Sequence, residues 1–272
     1  MKLERVATAR DPRIADYLDV RDPRWLREQR IFLAEGRKVV AQVVRAERFH
    51  VRSLLVTPTA LDTLGDALLA LPTGTPVYLV ERAQLDGVSG VRFHQGCVGA
   101  VDVPPPRSPE DVLRGVQHVV VLEAVTDPDN VGSTFRNAAA FGVDAVLLGP
   151  GCASPLYRKA IRTSLGASLR VPFAQIDLPQ GIARLRGQGL RTLALTPDPA
   201  APDLATQIPT QGPSTRVALL LGSEAQGLTP ETLAACDARV RIPLAPGADS
   251  INVAAAGAVA MQRVYAGRTA SR

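Results

Sequence analysis

The sequence predicts an α/β protein whose C-terminal part is built on a parallel sheet. Three observations carry that prediction. Short apolar runs of strand length alternate with amphipathic, helix-length patterns from residue 31 onward. The later runs, such as Val217-Ala-Leu-Leu-Leu221, are apolar at consecutive positions, which demands cover on both faces of a sheet. A proline-dense stretch, Val103-Pro-Pro-Pro-Arg-Ser-Pro-Glu-Asp111, interrupts the alternation and divides the chain.

Taken in order, residues 1–24 are polar and rich in Arg and Asp, and read as an N-terminal arm, either ordered or a frayed tail. Residues 25–102 form a small α/β domain. Strands are expected there at Ile31–Ala34, Ser53–Thr57, Pro76–Val80 and Cys97–Val101, with helices at Arg37–Ala46 and Ala60–Leu71. Pro72 and Gly74 end the second helix. Residues 103–114 are the linker. In residues 115–272 strands are expected at His118–Leu122, Ala145–Leu148, Leu169–Val171, Thr192–Leu195, Val217–Leu221 and Arg239–Ile242. Helices are expected at Val131–Phe141, Tyr157–Leu165, Gln180–Gln188, Pro230–Ala235 and Ile251–Tyr265. In such sheets ligands gather at the carboxyl ends of strands, so polar residues that follow strands are the ones to weigh.

Composition excludes several classes. With 46% hydrophobic and 21% charged residues over 272 positions, the chain can build a core and is not expected to be disordered. No apolar run reaches the roughly 18 residues of a membrane span, and Ile251–Met261 stops at Gln262. Met1 to Arg13 lacks the apolar segment of a secretory signal, so a cytoplasmic protein is expected. Cys97, Cys152 and Cys236 are far apart without a CxxC pair, and His50, His94 and His118 lack ligand spacing. Neither disulfides nor a metal are expected. Residues 1–52 hold 13 Lys and Arg against 8 Asp and Glu, so the net charge of +5 lies in that stretch. A local basic surface suits a polyanion; a solvated helix face explains it as well.

Three segments stand out, the first two directly after strands. Asp127-Pro-Asp-Asn-Val-Gly-Ser-Thr-Phe-Arg-Asn-Ala138 opens a helix for which Asn130 is a candidate cap, with Arg136 in its early turns. Leu221-Gly-Ser-Glu-Ala-Gln-Gly-Leu228 sets the Glu224 carboxylate between glycines at a strand end. Ala248-Asp-Ser-Ile-Asn-Val-Ala-Ala-Ala-Gly-Ala258 places Ser250 and Asn252 where a small-residue helix begins. Gly149-Pro-Gly151 is a bare glycine pair after a strand; it reads as a tight turn ahead of a dinucleotide or Rossmann-type cofactor loop.

In this order and spacing, the three segments resemble the motifs of the SpoU (TrmH-type) RNA ribose methyltransferases of the SPOUT class, from about Gln117 to Tyr265. The stretch from Ser154 to Ala167 resembles the family's segment between its first two motifs; its Arg158, Lys159 and Arg162, with no acid, suit phosphate contacts. Phe32-Leu-Ala-Glu-Gly-Arg-Lys38 and His94-Gln-Gly96 resemble the ribosomal-protein-like substrate-binding domain of many members, which brings in Arg37 and Lys38. The resemblance implies a deep trefoil knot in the C-terminal domain and S-adenosylmethionine as methyl donor. It implies a ribose 2′-hydroxyl of structured RNA as acceptor, ribosomal RNA ahead of transfer RNA. It also implies a homodimer with the active site near the subunit interface. Gly222, Ile242 and Ile251, flanked by Leu244 and Val253, would line the cofactor pocket, and Asn130, Arg136, Glu224, Ser250 and Asn252 would form the reacting end. Arg136 is either the base, assisted by an RNA phosphate, or a phosphate clamp. A guanidinium hardly deprotonates in proteins, so the clamp is the easier role. Ala225 stands where the family usually has Gly, and Ile251 where it often has Leu.

Overall fold

The computed structural model of the chain describes residues 1–18, 26, 28–83, 94–207 and 216–265. It forms two compact units. The first comprises Met1–Pro105 and Leu156–Gly166, and the second Pro106–Pro155 and Ala167–Arg272.

In the first unit, β1 (Lys2–Arg5), β2 (Ile31–Glu35), β3 (Val51–Val56), β4 (Pro76–Leu79) and β5 (Cys97–Asp102) form a mixed sheet in the order β1-β4-β3-β5-β2. α1 (Arg37–Arg45) buries Val39, Val40, Val43 and Val44. α2 (Pro58–Leu64) is capped by Thr57, whose hydroxyl accepts from the Ala60 N–H at 3.3 Å. The expected helix to Leu71 is broken at Gly65, where φ is +38° and a 3-10 turn (Gly65–Ala70) takes over.

The first 18 residues are not an arm. β1 pairs in parallel with β4, and a 3-10 turn at Pro12–Tyr17 buries Ile14 and Tyr17. The Tyr17 hydroxyl lies 2.8 Å from Ser53 Oγ and accepts from the Ala100 N–H at 3.3 Å. An edge strand with exposed side chains needs only backbone pairing, so its polar sequence hides it. Residues 19–24 of the expected arm lie outside the described residues. Part of the basic excess is neutralised locally, by Lys2–Glu4 (2.7 Å), Arg13–Glu4 (2.6 Å) and Arg13–Asp11 (2.6 Å).

In the second unit the linker ends earlier than its prolines suggest. α3 (Pro109–Leu113) starts at Ser108, whose hydroxyl accepts from the Asp111 N–H at 3.1 Å, with proline at the first helical position. Val112 and Leu113 enter the core. There follow β6 (His118–Leu122), α4 (Pro128–Phe141) and β7 (Ala145–Leu148). Residues 156–166, with α5 (Arg158–Thr163), belong to the first unit, where α5 packs against β2 and Gln42 Nε2 donates to the Gly166 carbonyl at 2.9 Å. The second unit resumes with β8 (Phe173–Gln175), α6 (Gly181–Gly187), β9 (Arg191–Leu195), α7 (Leu204–Gln207) and β10 (Val217–Leu221). It closes with α8 (Pro230–Ala235), β11 (Ala238–Val240) and α9 (Val253–Tyr265).

All six strands run parallel, in the order β11-β9-β10-β6-β7-β8. β6, β7 and β10 are buried along their whole length, as their continuous apolar runs require. The strand expected at Leu169–Val171 is displaced. Ala167–Leu169 is a 3-10 turn and the strand follows Pro172, at an edge where only Ala174 is buried. α4 starts at Pro128, three residues before Val131, because Asp127 caps it and proline again takes the first position.

Candidate active site

At the carboxyl ends of β9 and β10 a cavity of about 590 Å³ opens in the second unit. Its wall after β10 is the loop Gly222–Leu228. This loop closes on itself: the Ser223 N–H donates to the Gly227 carbonyl at 3.1 Å, and the Gly227 N–H to the Ser223 carbonyl at 2.9 Å. Gly222 cannot be replaced there, since a Cβ would lie 2.1 Å from the Gly227 carbonyl carbon and 2.2 Å from the Leu228 nitrogen. Gly227 supplies the reversal at φ +70°. Ala225 is not among the residues of positive φ, so its methyl imposes no strain.

The cavity is also lined by Ile242, Leu244, Ser250, Ile251, Asn252 and Val253. One corner is organised by a directional hydrogen-bond chain. Asn252 Oδ1 caps α9, accepting from the N–H groups of Ala254 (2.9 Å) and Ala255 (3.2 Å). Those two donors fix the amide's orientation, so Nδ2 donates to Asn130 Oδ1 at 2.9 Å. Asn130 Nδ2 in turn donates to Glu224 Oε1. Asn130 is therefore not a cap. Asp127 takes that task, and Asn130, two residues inside α4, is left to tie the first motif to the second and third.

Arg136 is treated differently. Asn130 and Asn137 lie about two turns apart on one face of α4, and Asn137 Nδ2 donates to the Ala254 carbonyl at 3.0 Å. Arg136 points roughly 100° away from that face. It is exposed, does not border the cavity, and makes no hydrogen bond or ion pair among the described residues.

Arg37, Lys38, Arg158, Lys159 and Arg162, distant in sequence, all fall in the first unit. The Arg37 N–H donates to Gln95 Oε1 (3.1 Å) and its Nε to the Gln95 carbonyl (3.3 Å). Arg158 Nη1 pairs at 2.7 Å with Glu35, whose side chain is 4% exposed, so this arginine is engaged in a buried ion pair. Lys38, Lys159 and Arg162 are exposed. Gly149-Pro-Gly151 is a packed turn: a Cβ on Gly149 would lie 2.7 Å from Leu178 Cδ1 and 2.8 Å from the Leu122 carbonyl oxygen.

The profile of the SpoU rRNA methylase family matches residues 117–262, more than half of the chain. The chain belongs to the SpoU rRNA methylase family. It is 40% identical to an uncharacterised tRNA/rRNA methyltransferase of Mycobacterium tuberculosis, over 92% of this chain and 87% of that protein. It is 25% identical to the 23S rRNA (guanosine(2553)-2′-O)-methyltransferase RlmP of Bacillus subtilis, over 94% of this chain and 97% of the other. Among solved structures, the AdoMet-bound rRNA methyltransferase of Sinorhizobium meliloti superposes with a TM-score of 0.82 at 23% identity, each chain covered to 98%; this likeness speaks for the fold. Like its relatives, this SpoU member is an RNA methyltransferase.

The sequence reading missed the cavity residues at and just after the end of β9, Leu195, Thr196 and Pro197, and missed Leu233 and Asp249. The strand-end rule applies to Thr196 as it does to Glu224, but no motif singles it out. Burial pushes the Cys97 thiol up to about 12 and the Cys236 thiol up to about 11, and raises Cys152 above its usual value.

Proposed function

We propose that this SpoU protein transfers the methyl group of S-adenosylmethionine to a ribose 2′-hydroxyl of ribosomal RNA, acting as a homodimer in the cytoplasm. The observation that carries the reading is the cavity at the ends of β9 and β10, with Asn252, Asn130 and Glu224 linked at one corner. Its residues fit that donor. The apolar side chains of Leu195, Ile242, Leu244 and Val253 suit a purine, and Thr196, Ser223 and Ser250 offer hydroxyls. The charged lining residues are Glu224 and Asp249, both acidic, which suits a ligand with a sulfonium.

When bound, S-adenosylmethionine supplies an electrophilic methyl group. The chain's own residues supply alignment, where much of the barrier reduction in such a displacement lies. Asn252 and Asn130 fix the Glu224 carboxylate at the cavity edge, and Ser250 and Glu224 are the groups placed to orient a hydroxyl. Arg136, a permanent cation with a planar fork, serves as a bidentate clamp for an RNA phosphate rather than as the base. Lys38, Lys159 and Arg162 hold the RNA through its backbone.

A second copy covering the exposed face of α4 and α9, with Arg136, Ala139, Ala140, Ala255 and Val259, would set Arg136 at a subunit boundary. Among the described residues no helix is long and apolar enough to cross a membrane. The RlmP relative, named for 23S rRNA, supports ribosomal over transfer RNA. Mapping ribose methylation of total RNA in a deletion strain and its complemented parent tests the proposal. One rRNA position that loses its 2′-O-methyl and regains it is expected; loss confined to tRNA, or no loss, overturns it.

A further inference from the structure

We infer that Glu123 is a positioning residue that grips both ends of the cavity loop Gly222–Leu228 and so sets the shape of the cofactor wall. The inference rests on reading that cavity as the S-adenosylmethionine site. Glu123 follows β6 and is 5% exposed. Its main-chain N–H donates at 2.9 Å to the carbonyl of Leu221, the residue from which the loop departs. Its side chain takes the other end. Oε2 accepts from the Thr229 N–H at 2.9 Å, and Oε1 accepts from the hydroxyls of Thr229 (3.1 Å) and Thr232 (2.8 Å).

Thr229 is also the cap of α8, its hydroxyl accepting from the Thr232 N–H at 3.3 Å. The loop is therefore fastened at Leu221, at Thr229 and across itself at Ser223 and Gly227, and every residue from Gly222 to Leu228 borders the cavity. Among the described residues Glu123 has no ion-pair partner. A buried carboxylate without a cation is costly, and its three donors offset that cost only while the loop end stays in place. The next residue, Ala124, holds a left-handed φ of +54° and donates to the Pro150 carbonyl at 3.0 Å, so the backbone that aims Glu123 is itself held against strain. Glu123, Thr229 and Thr232 do not border the cavity themselves; the effect passes through the loop.

The test compares wild type, Glu123→Ala and Glu123→Gln by calorimetric titration of S-adenosylmethionine and by amide hydrogen exchange of the cofactor-free proteins. In Glu123→Ala the dissociation constant is expected to rise about tenfold or more. Exchange should accelerate across 222–229 while α4 keeps its protection. Glu123→Gln keeps a carbonyl oxygen for the Thr229 N–H and can donate to a threonine hydroxyl, so it should stay within about threefold of wild type. Equal loss in both variants, or Glu123→Ala within about threefold of wild type with unchanged loop exchange, overturns the inference. Should Glu123→Ala fail to fold, Thr232→Val removes one bond: about threefold weaker binding and faster exchange of the same loop are expected, and no change in either contradicts the clamp. If wild type binds no S-adenosylmethionine, the reading of the cavity fails, and the exchange comparison still decides whether Glu123 fastens the loop.

Discussion

Asn130 and Arg136 lie less than two turns apart on α4, and the fold treats them oppositely. Asn130 is locked between Asn252 and Glu224, its amide orientation dictated by the cap of α9. Arg136 stands in solvent with no partner among the described residues. The difference separates two tasks. The cavity corner is preorganised within one chain, whereas the arginine is exposed and held by nothing among the described residues; the proposed mechanism gives it an RNA phosphate.

The most severe break is expected from Arg136→Ala. Turnover on the RNA substrate should fall roughly 10²–10³-fold, as when one aligned donor to a transition state is removed. The thermal midpoint and the affinity for S-adenosylmethionine should stay at wild-type values. Arg136→Lys keeps the charge without the fork and should recover only part of the rate, measured under single-turnover conditions.

Asn252→Ala should act on the other side of the comparison. Losing the cap of α9 costs about 1 kcal/mol of stability by denaturant titration. Cofactor affinity should drop about tenfold, because Asn130 and Glu224 lose their fixed orientation. A variant with the stability loss but unchanged affinity would reduce Asn252 to a cap.

The smallest effect sharpens the contrast along the same helix. Asn137→Ala removes the 3.0 Å hydrogen bond that α4 donates to the Ala254 carbonyl, and nothing that borders the cavity. It should cost about 1 kcal/mol in stability and leave turnover per folded molecule unchanged. A turnover defect would mean that the packing of α4 on α9 itself tunes the site.

Much of this was legible in the sequence, and the failures have physical reasons. Val217–Leu221 and His118–Leu122 were readable to the residue because a strand covered on both faces must be apolar throughout. β1 was not, because an edge strand with exposed side chains leaves no apolar alternation. α3 was hidden by Pro109, which breaks a helix interior but starts a helix at its first position. The same rule moved the start of α4 from Val131 to Pro128 and released Asn130 from capping. At the site, Gly222, Glu224, Ser250 and Asn252 announced themselves through motifs, and the cavity borders all four. Glu123 did not, since a single acid in an apolar run gives no hint that Thr229, 106 residues further on, will close over it. The assignment of residues 156–166 to the first unit was equally invisible, because the pairing of Arg158 with Glu35 is a tertiary fact.

In the proposed mechanism Asn252, Asn130 and Glu224 build the corner of the cofactor cavity without Arg136. Calorimetric titration of S-adenosylmethionine into wild type, Asn252→Ala and Arg136→Ala tests it most directly. Wild type and Arg136→Ala are expected to bind alike, and Asn252→Ala about tenfold more weakly. Equal weakening in Arg136→Ala, or undiminished binding in Asn252→Ala, would contradict it.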